Sequence, residues 1–250
     1  AGWFAWWWVA AEAQKTALNA WLDERREAGW QAESAAIDVS GFPNRVDAVL
    51  TEPALADPIS GWAWSAPRLS IYQILYKPTE AIITWPEEQR IAAPGARATV
   101  RSEMMRASFA FAQSEALTLQ RNSLEVRNAA VAADAGWTAG VEFYNHHIRP
   151  STGDLGQNAY EFVADVKKLR LPDFLRRQID PAGALPPAIE VIRVEGAAAF
   201  DTPLDRYAFE RTKPQLTALI LLPSEAAWGD LALRVSGKIR TDANGFAEGT

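Results

Sequence analysis

The 250-residue chain has no cysteine, so it has no disulfide framework, no thiolate zinc site and no cysteine nucleophile. Two histidines cannot build a three-histidine metal centre within one chain. Lysine and arginine number 25 against 31 aspartates and glutamates, a formal charge of −6 with no block of basic residues. Nucleic acid is therefore not the expected partner. No run of about 20 apolar residues is present, so no segment reads as a complete bilayer-spanning helix. The nucleophile elbow G-x-S-x-G and the glycine-rich phosphate motifs are missing as well.

What the chain does have is tryptophan: 11 in all, four of them within the first eight residues. Hydrophobic content of 48% and charged content of 22% are those of a globular protein. The first segment, Ala1-Gly2-Trp3-Phe4-Ala5-Trp6-Trp7-Trp8-Val9-Ala10, has neither the basic region nor the cleavage site of a signal peptide. Tryptophan concentrates at membrane–water interfaces. Residues 1–10 are thus read as the end of a truncated N-terminal membrane anchor, with Trp3, Phe4, Trp6, Trp7 and Trp8 as membrane-contact residues. The competing reading is a Trp-rich segment folded onto the core.

Residues 11–29 read as an amphipathic helix, beginning near Ala10. Its residues are strong helix formers. Leu18, Trp21, Leu22 and Arg25 follow i, i+3, i+4, i+7 spacing, and Gly29 supplies the stop. From residue 30 to 250 the chain reads as an antiparallel β domain, because the period changes to two. Ile37 and Val39 alternate with Asp38 and Ser40; Leu216 to Leu222 and Leu231 to Ile239 are later runs. Pro53, Pro58, Pro67, Pro78, Pro86 and Pro94-Gly95 read as turns between strands. One short helix is expected at Pro172 to Ile179. Asn244-Gly245 is a hairpin signal, and the chain stops five residues later, which reads as a truncated C-terminus.

Few residues nominate chemistry. His146 and His147 are neighbours on a strand, so their rings point to opposite faces and do not chelate one metal readily. Glu87-Glu88 and Asp201 to Asp205 read as solvated loop charge. Lys167, Lys168, Arg170, Arg176 and Arg177 form the densest basic cluster, either a solvated face or a surface for anionic headgroups. No metal, no cofactor and no enzymatic activity are expected. The apolar stripes remain. Trp62, Trp64, Leu69, Ile71, Ile83, Trp85, Met105, Phe109 and Phe111 are candidate ligand-binding residues if the sheet curves and leaves its inner face open to an acyl chain. The same alternation also suits an ordinary packed core.

The elements Val39-Ser40-Gly41-Phe42-Pro43-Asn44-Arg45, Gly61-Trp62-Ala63-Trp64-Ser65-Ala66-Pro67, Tyr76-Lys77-Pro78 and Trp85-Pro86-Glu87-Glu88-Gln89 resemble a bacterial envelope family known as domain of unknown function 2125. Leu18 to Leu22 and the late Leu233-Arg234-Val235-Ser236-Gly237 are similar too. Its members look like single-anchor proteins with the domain outside the cytoplasmic membrane. The Ser-Gly-Phe-Pro element is also similar, more distantly, to one in AsmA-like proteins, which resemble curled sheets with an apolar groove implicated in lipid handling. Phe42 is expected to plug one end of the sheet.

The expected fold is mainly β: a curved antiparallel sheet, as an AsmA-like groove or half-barrel, with an N-terminal helix and one short internal helix. The expected function is a membrane-anchored extracytoplasmic protein of the bacterial envelope that binds or shields lipid or another apolar ligand. Its expected place is the periplasmic face of the inner membrane, held through the N-terminus, with membrane lipid as partner. The alternative is a non-enzymatic assembly or docking module with an envelope protein partner.

Overall fold

A computed structural model of the chain describes residues 2–208, 212–241 and 247–249. Helix α1 spans Gly2–Glu27 and α2 spans Asp173–Ile179. The strands are β1 (Gln31–Glu33), β2 (Ala36–Ser40), β3 (Arg45–Thr51), β4 (Ala54–Asp57), β5 (Trp62–Ser65), β6 (Arg68–Ile74), β7 (Lys77–Trp85), β8 (Glu88–Ala93) and β9 (Ala96–Arg101). They continue as β10 (Met104–Phe111), β11 (Leu119–Ala133), β12 (Thr138–Pro150), β13 (Ala159–Leu169), β14 (Ile189–Phe200), β15 (Leu216–Trp228), β16 (Leu231–Thr241) and β17 (Ala247–Gly249). The architecture is mainly β and antiparallel, with an N-terminal helix and one short internal helix.

Two compact units divide the chain: Ala1–Ala107 with Val126–Gly140, and Ser108–Glu125 with Val141–Thr250. The boundaries fall inside β10 and β11 and near the start of β12, so no Gly/Ser-rich linker marks them.

In the first unit α1 is unbroken. The segments read separately as 1–10 and 11–29 join in one helix, because neither proline nor glycine interrupts Trp3 to Glu27. Its end is a Schellman turn. Gly29 sits at φ +88°, its N–H donates to the Arg26 carbonyl at 2.9 Å, and the Trp30 N–H donates to the Arg25 carbonyl at 3.0 Å. Leu22 on α1 packs with Ala32, Ile37 and Leu50, and Leu18, Leu55, Leu69 and Ile71 close around them. Trp21 stays at the flank, with the Arg25 guanidinium 5.9 Å from its ring centre.

Two antiparallel ladders make up the rest of this unit. One runs β2–β3–β6–β7 and the other β1–β4–β5–β8–β9, extended by the end of β11. Each pass of chain serves both ladders, because each breaks partway along: at 34–35, 52–53, 66–67, 86–87 and 102–103. The breaks lie beside one another. Ala35 N–H donates to Thr51 O, Glu52 N–H to Pro67 O, Ala66 N–H to Pro53 O, and Ser102 N–H to Glu87 O. Glu52 and Asn128 take positive φ along this line, and three prolines remove ladder donors there. The sequence reading of Pro53, Pro67 and Pro86 as inter-strand turns is therefore corrected. They mark corners within continuing passes, and Pro78 lies inside β7. Pro58 and Pro94-Gly95 do stand at reversals, as the sequence reading has them; the others fall near Gly41 to Asn44 and at Leu75-Tyr76.

Gly41 has φ +105°, and a Cβ there would come within 2.9 Å of the Arg45 carbonyl oxygen, so this turn requires glycine. The Phe42–Pro43 peptide is cis. The ring of Phe42 does not plug the sheet: it is half exposed and packs edge-on against Phe4 and Trp7 of α1, with centroids 5.5 and 5.7 Å away.

In the second unit β12 to β17 form an antiparallel meander. The register shifts between Leu221 and Ser224, where Pro223 cannot donate to the ladder. Helix α2 lies in the β13–β14 connection, with Pro172 before its first turn. Strand β17 pairs back onto β16, Ile239 opposite Gly249; the Asn244-Gly245 signal between them lies outside the described residues.

Candidate functional site

Two exposed apolar regions stand out, one in each unit. The first is the tip of α1. Phe4, Trp6, Trp8 and Val9 are each more than half exposed, Trp6 at 59%. Trp7 is the exception: its indole N–H donates to the Arg45 carbonyl at 2.6 Å and ties the tip to the β2–β3 turn. Beyond Ala11 the helix is amphipathic, whereas over residues 4–9 it is apolar all round. Trp3 lies in the helix, and its side chain is outside the described set. Among the described residues no helix is long and apolar enough to cross a membrane.

The candidate ligand residues of the first unit have separate fates. Leu69 and Ile71 pack beneath α1, and Ile83 pairs across from Ile71. The Trp64 indole N–H donates to the Gln89 carbonyl at 2.9 Å, and the Gln89 amide reaches the Met105 sulfur at 3.4 Å. Trp62 is exposed, and Trp85 is half-buried at the end of β7. A cleft of about 530 Å³ opens on the face of small residues Ala54, Ala56, Ala63 and Ala92, edged by Arg90 and Arg97.

In the second unit Phe109 and Phe111 stack at 6.0 Å. Strand alternation locates them. The Ser108 and Ser123 hydroxyls meet at 2.7 Å, so these two side chains share a face. Phe109, Phe111 and Asn122 then lie on the other face. Asn122 bonds to His146, so that face continues onto β12.

Register extends the face strand by strand. Tyr144, Val166, Ile192, Ala226 and Leu233 form one row; His146, Ala164, Val194 and Val235 lie along the next. Ile148, Phe162, Gly196 and Leu221 make a third, and Tyr160, Ala198, Leu219 and Ile239 a fourth. None of these residues carries a formal charge. On β16 the side chains stay open: Leu233 is 56% exposed and Ile239 44%. At one end Trp228 is buried, and its indole N–H donates to the Pro186 carbonyl at 2.7 Å.

Gly196 is required by close approach. A Cβ there would run into the Ile220 carbonyl oxygen and touch the Phe162 ring at 3.0 Å. Sequence reading recognised Leu216 to Leu222 and Leu231 to Ile239 as strands but did not join them in one surface. The signal was the unbroken period of two; the missing quantity was the register.

One polar chain is set into this face. The Tyr144 hydroxyl lies 2.9 Å from His146 Nδ1, and His146 Nε2 lies 2.6 Å from Asn122 Oδ1. The Asn122 amide nitrogen donates to the Ser108 carbonyl at 3.3 Å. Burial pushes the Tyr144 hydroxyl up from its usual range; burial first, then charge on His147, holds His146 below its ordinary value. His147 faces the other way and lines a groove of about 690 Å³ with Arg149, Val163 and Leu222. That opposite face carries paired charges beside apolar side chains such as Val163, Ile220 and Leu222. Arg149 pairs with Glu161 at 2.8 Å and Arg193 with Asp165 at 3.2 Å.

Three of the acidic residues noted in the sequence, Glu88, Asp201 and Asp205, make local bonds. Glu88 pairs with Arg101 at 2.7 Å. Asp201 accepts the Gln215 N–H at 2.7 Å, and Asp205 accepts the Tyr207 N–H at 2.8 Å. Glu87 and Asp201 are exposed, as the sequence reading has them, whereas Glu88 lies on β8 rather than in a loop. In the basic cluster Lys167 and Lys168 are exposed, whereas Arg176 donates to the Leu185 carbonyl at 3.1 Å.

No curated protein and no solved structure matches the chain. A family model does match, from residue 7 to residue 250, which takes in the uncharged face and α1 from Trp7 onward but leaves out Trp3, Phe4 and Trp6. The chain belongs to DUF2125, a family described as an uncharacterized protein conserved in bacteria.

Proposed function

We propose that this chain is a membrane-associated protein of the bacterial envelope that holds or shields the apolar part of a lipid on the uncharged face of β12 to β16. In this reading it works at the periplasmic face of the inner membrane, moored through the start of α1, and it binds without doing chemistry. The observation that carries the proposal is the face itself: four rows across five strands without a charged side chain, still open at Leu233 and Ile239. An uncharged face that is half-buried over β12 to β15 and open along β16 at Leu233, Val235 and Ile239 is the kind of apolar surface that interaction sites use. An acyl chain laid on it gains about 0.8 kcal/mol per buried methylene before ordering costs. The aromatic tip adds a reversible interfacial contact, with indole rings at headgroup depth.

The test is native mass spectrometry of the protein purified without detergent exchange, followed by delipidation and re-addition of lipid. Bound amphiphile that is lost from Leu233→Glu and Val235→Glu supports the reading. Absence of bound lipid in the wild type, or its unchanged retention in both variants, removes it. Docking of an envelope protein is the second reading, favoured by the exposed leucines of β16, Leu231 and Leu233. Cross-linking from position 233 in intact cells to one protein rather than to lipid supports that alternative.

A further inference from the structure

Helix α1 runs along the β2–β3 hairpin and is fixed to both of its ends. Trp7 Nε1 donates to the Arg45 carbonyl at the start of β3, whereas Leu22 packs against Ile37 and Leu50 at the far end of the hairpin. Trp7 and Leu22 are about 22 Å apart along the helix, and Arg45 and Leu50 about 17 Å apart along the strand. The start of the helix and the β2–β3 turn therefore stand at one end of the first unit.

A second turn joins them there. Arg45 lies opposite Ile74, and the Leu75 N–H donates to the Asn44 carbonyl at 3.0 Å, so the β6–β7 turn at Leu75-Tyr76 sits beside the β2–β3 turn. Three separate stretches of sequence thus bring exposed apolar side chains to one place: Phe4 from the helix, Phe42 from the first turn, and Ile74 with Tyr76 from the second, Tyr76 at 69% exposed. The rings of Phe4 and Phe42 touch, so helix and turn share one surface. Surface turns are ordinarily filled by Gly, Pro, Asn, Asp and Ser; an exposed phenylalanine and tyrosine on two neighbouring turns ask for an apolar contact.

Charge at this end is balanced locally. Arg45 pairs with Asp47 at 2.7 Å and Lys77 with Glu80 at 3.2 Å. Aromatic rings among ion pairs that sum to zero complement the headgroup layer of a zwitterionic bilayer, where rings enter the interface and a tyrosine hydroxyl keeps to its polar side.

We propose that the β2–β3 and β6–β7 turns are a second membrane contact, with Phe42 and Tyr76 at headgroup depth and the strands β3 and β6 end-on to the bilayer. This rests on the reading of the start of α1 as the mooring. It adds residues distant from that segment in sequence and fixes how the first unit is presented to the lipid.

The chain has no cysteine, so single positions can be labelled on the full chain. Asn44→Cys keeps both rings and places a polarity-sensitive fluorophore on the exposed β2–β3 turn. Ile59→Cys is the control: Ile59 is 93% exposed, in the reversal at the other end of the β3–β4 pass. Phosphatidylcholine vesicles are expected to shift the emission at position 44 to the blue and to leave position 59 unchanged. Co-flotation of the Phe42→Ser, Tyr76→Ser double variant is expected to fall about three- to tenfold below wild type through loss of two partly inserted rings, with little dependence on salt. Tyr76→Ser alone, which leaves the packing of Phe42 on α1 intact, is expected to lower it in the same direction. A wild type that floats while position 44 stays unshifted, or a double variant that floats as well as wild type, overturns the inference and leaves the mooring through α1 standing. Binding that requires anionic lipid, or equal shifts at 44 and 59, also overturns it. A wild type that floats with no vesicle removes the mooring as well.

Discussion

The indole nitrogen of Trp7 and the backbone carbonyl of Arg45 are 2.6 Å apart, and this bond separates one tryptophan of the tip from its neighbours. Trp7 belongs to the fold, whereas Trp6 and Trp8 face outward. Trp7→Phe is expected to lower the stability of the first unit by about 1 kcal/mol, read from the denaturation midpoint. Trp6→Ser and Trp8→Ser should leave the midpoint nearly unchanged and reduce co-flotation with vesicles. Equal flotation of wild type and the double variant would remove the interfacial role of the tip.

Leu22 carries the contact between α1 and the sheet. It is 3% exposed and touches Ala32, Ile37 and Leu50. Leu22→Ala should cost about 3 kcal/mol through lost burial and a residual cavity. A loss below about 1 kcal/mol would mean that the helix is held by other contacts.

Gly196→Ala introduces a methyl where the Ile220 carbonyl already sits. Strand β14 must shift away from β15 to admit it, at a cost of about 1–3 kcal/mol. Hydrogen exchange should show faster opening of β14 and β15 than of β2 and β3 in this variant. Uniform exchange across both units would contradict the assignment.

His146 titrates below its ordinary value of 6.5, with burial the larger cause and His147 the smaller. The unfolded chain therefore takes up this proton first as pH falls. The contribution is fully present above about pH 6.5, declines as pH drops toward the lower folded value, and is flat below it. Denaturation at about pH 5 and about pH 8 should show the wild type losing more stability on acidification than His146→Gln. An identical loss in both would show that His146 does not contribute.

Much of the fold was legible in sequence because local periodicity encodes it. Gly29 ends α1, and Pro172 opens α2, where the spacing put them. The start of α1 was not legible as helix, because Trp and Ala in succession carry no cap signal and no breaker. The prolines were harder. Pro53 and Pro86 interrupt hydrogen bonding at a corner as readily as at a turn, and composition does not distinguish the two. The candidate surface was half legible. Phe109 and Phe111 lie on it, whereas Leu69 and Ile71 went beneath α1. The rows through Val194 and Leu221 depend on register shifts near Arg193 and Pro223, which appear only once strands are paired.

The aligned breaks in the first unit have a mechanical consequence. A segment such as Ala54–Asp57 cannot peel from its neighbours without pulling on Arg45–Thr51, which is the same stretch of backbone around the bend. Fraying at either side is thereby transmitted through the bend, so the two halves are expected to melt together as one cooperative body.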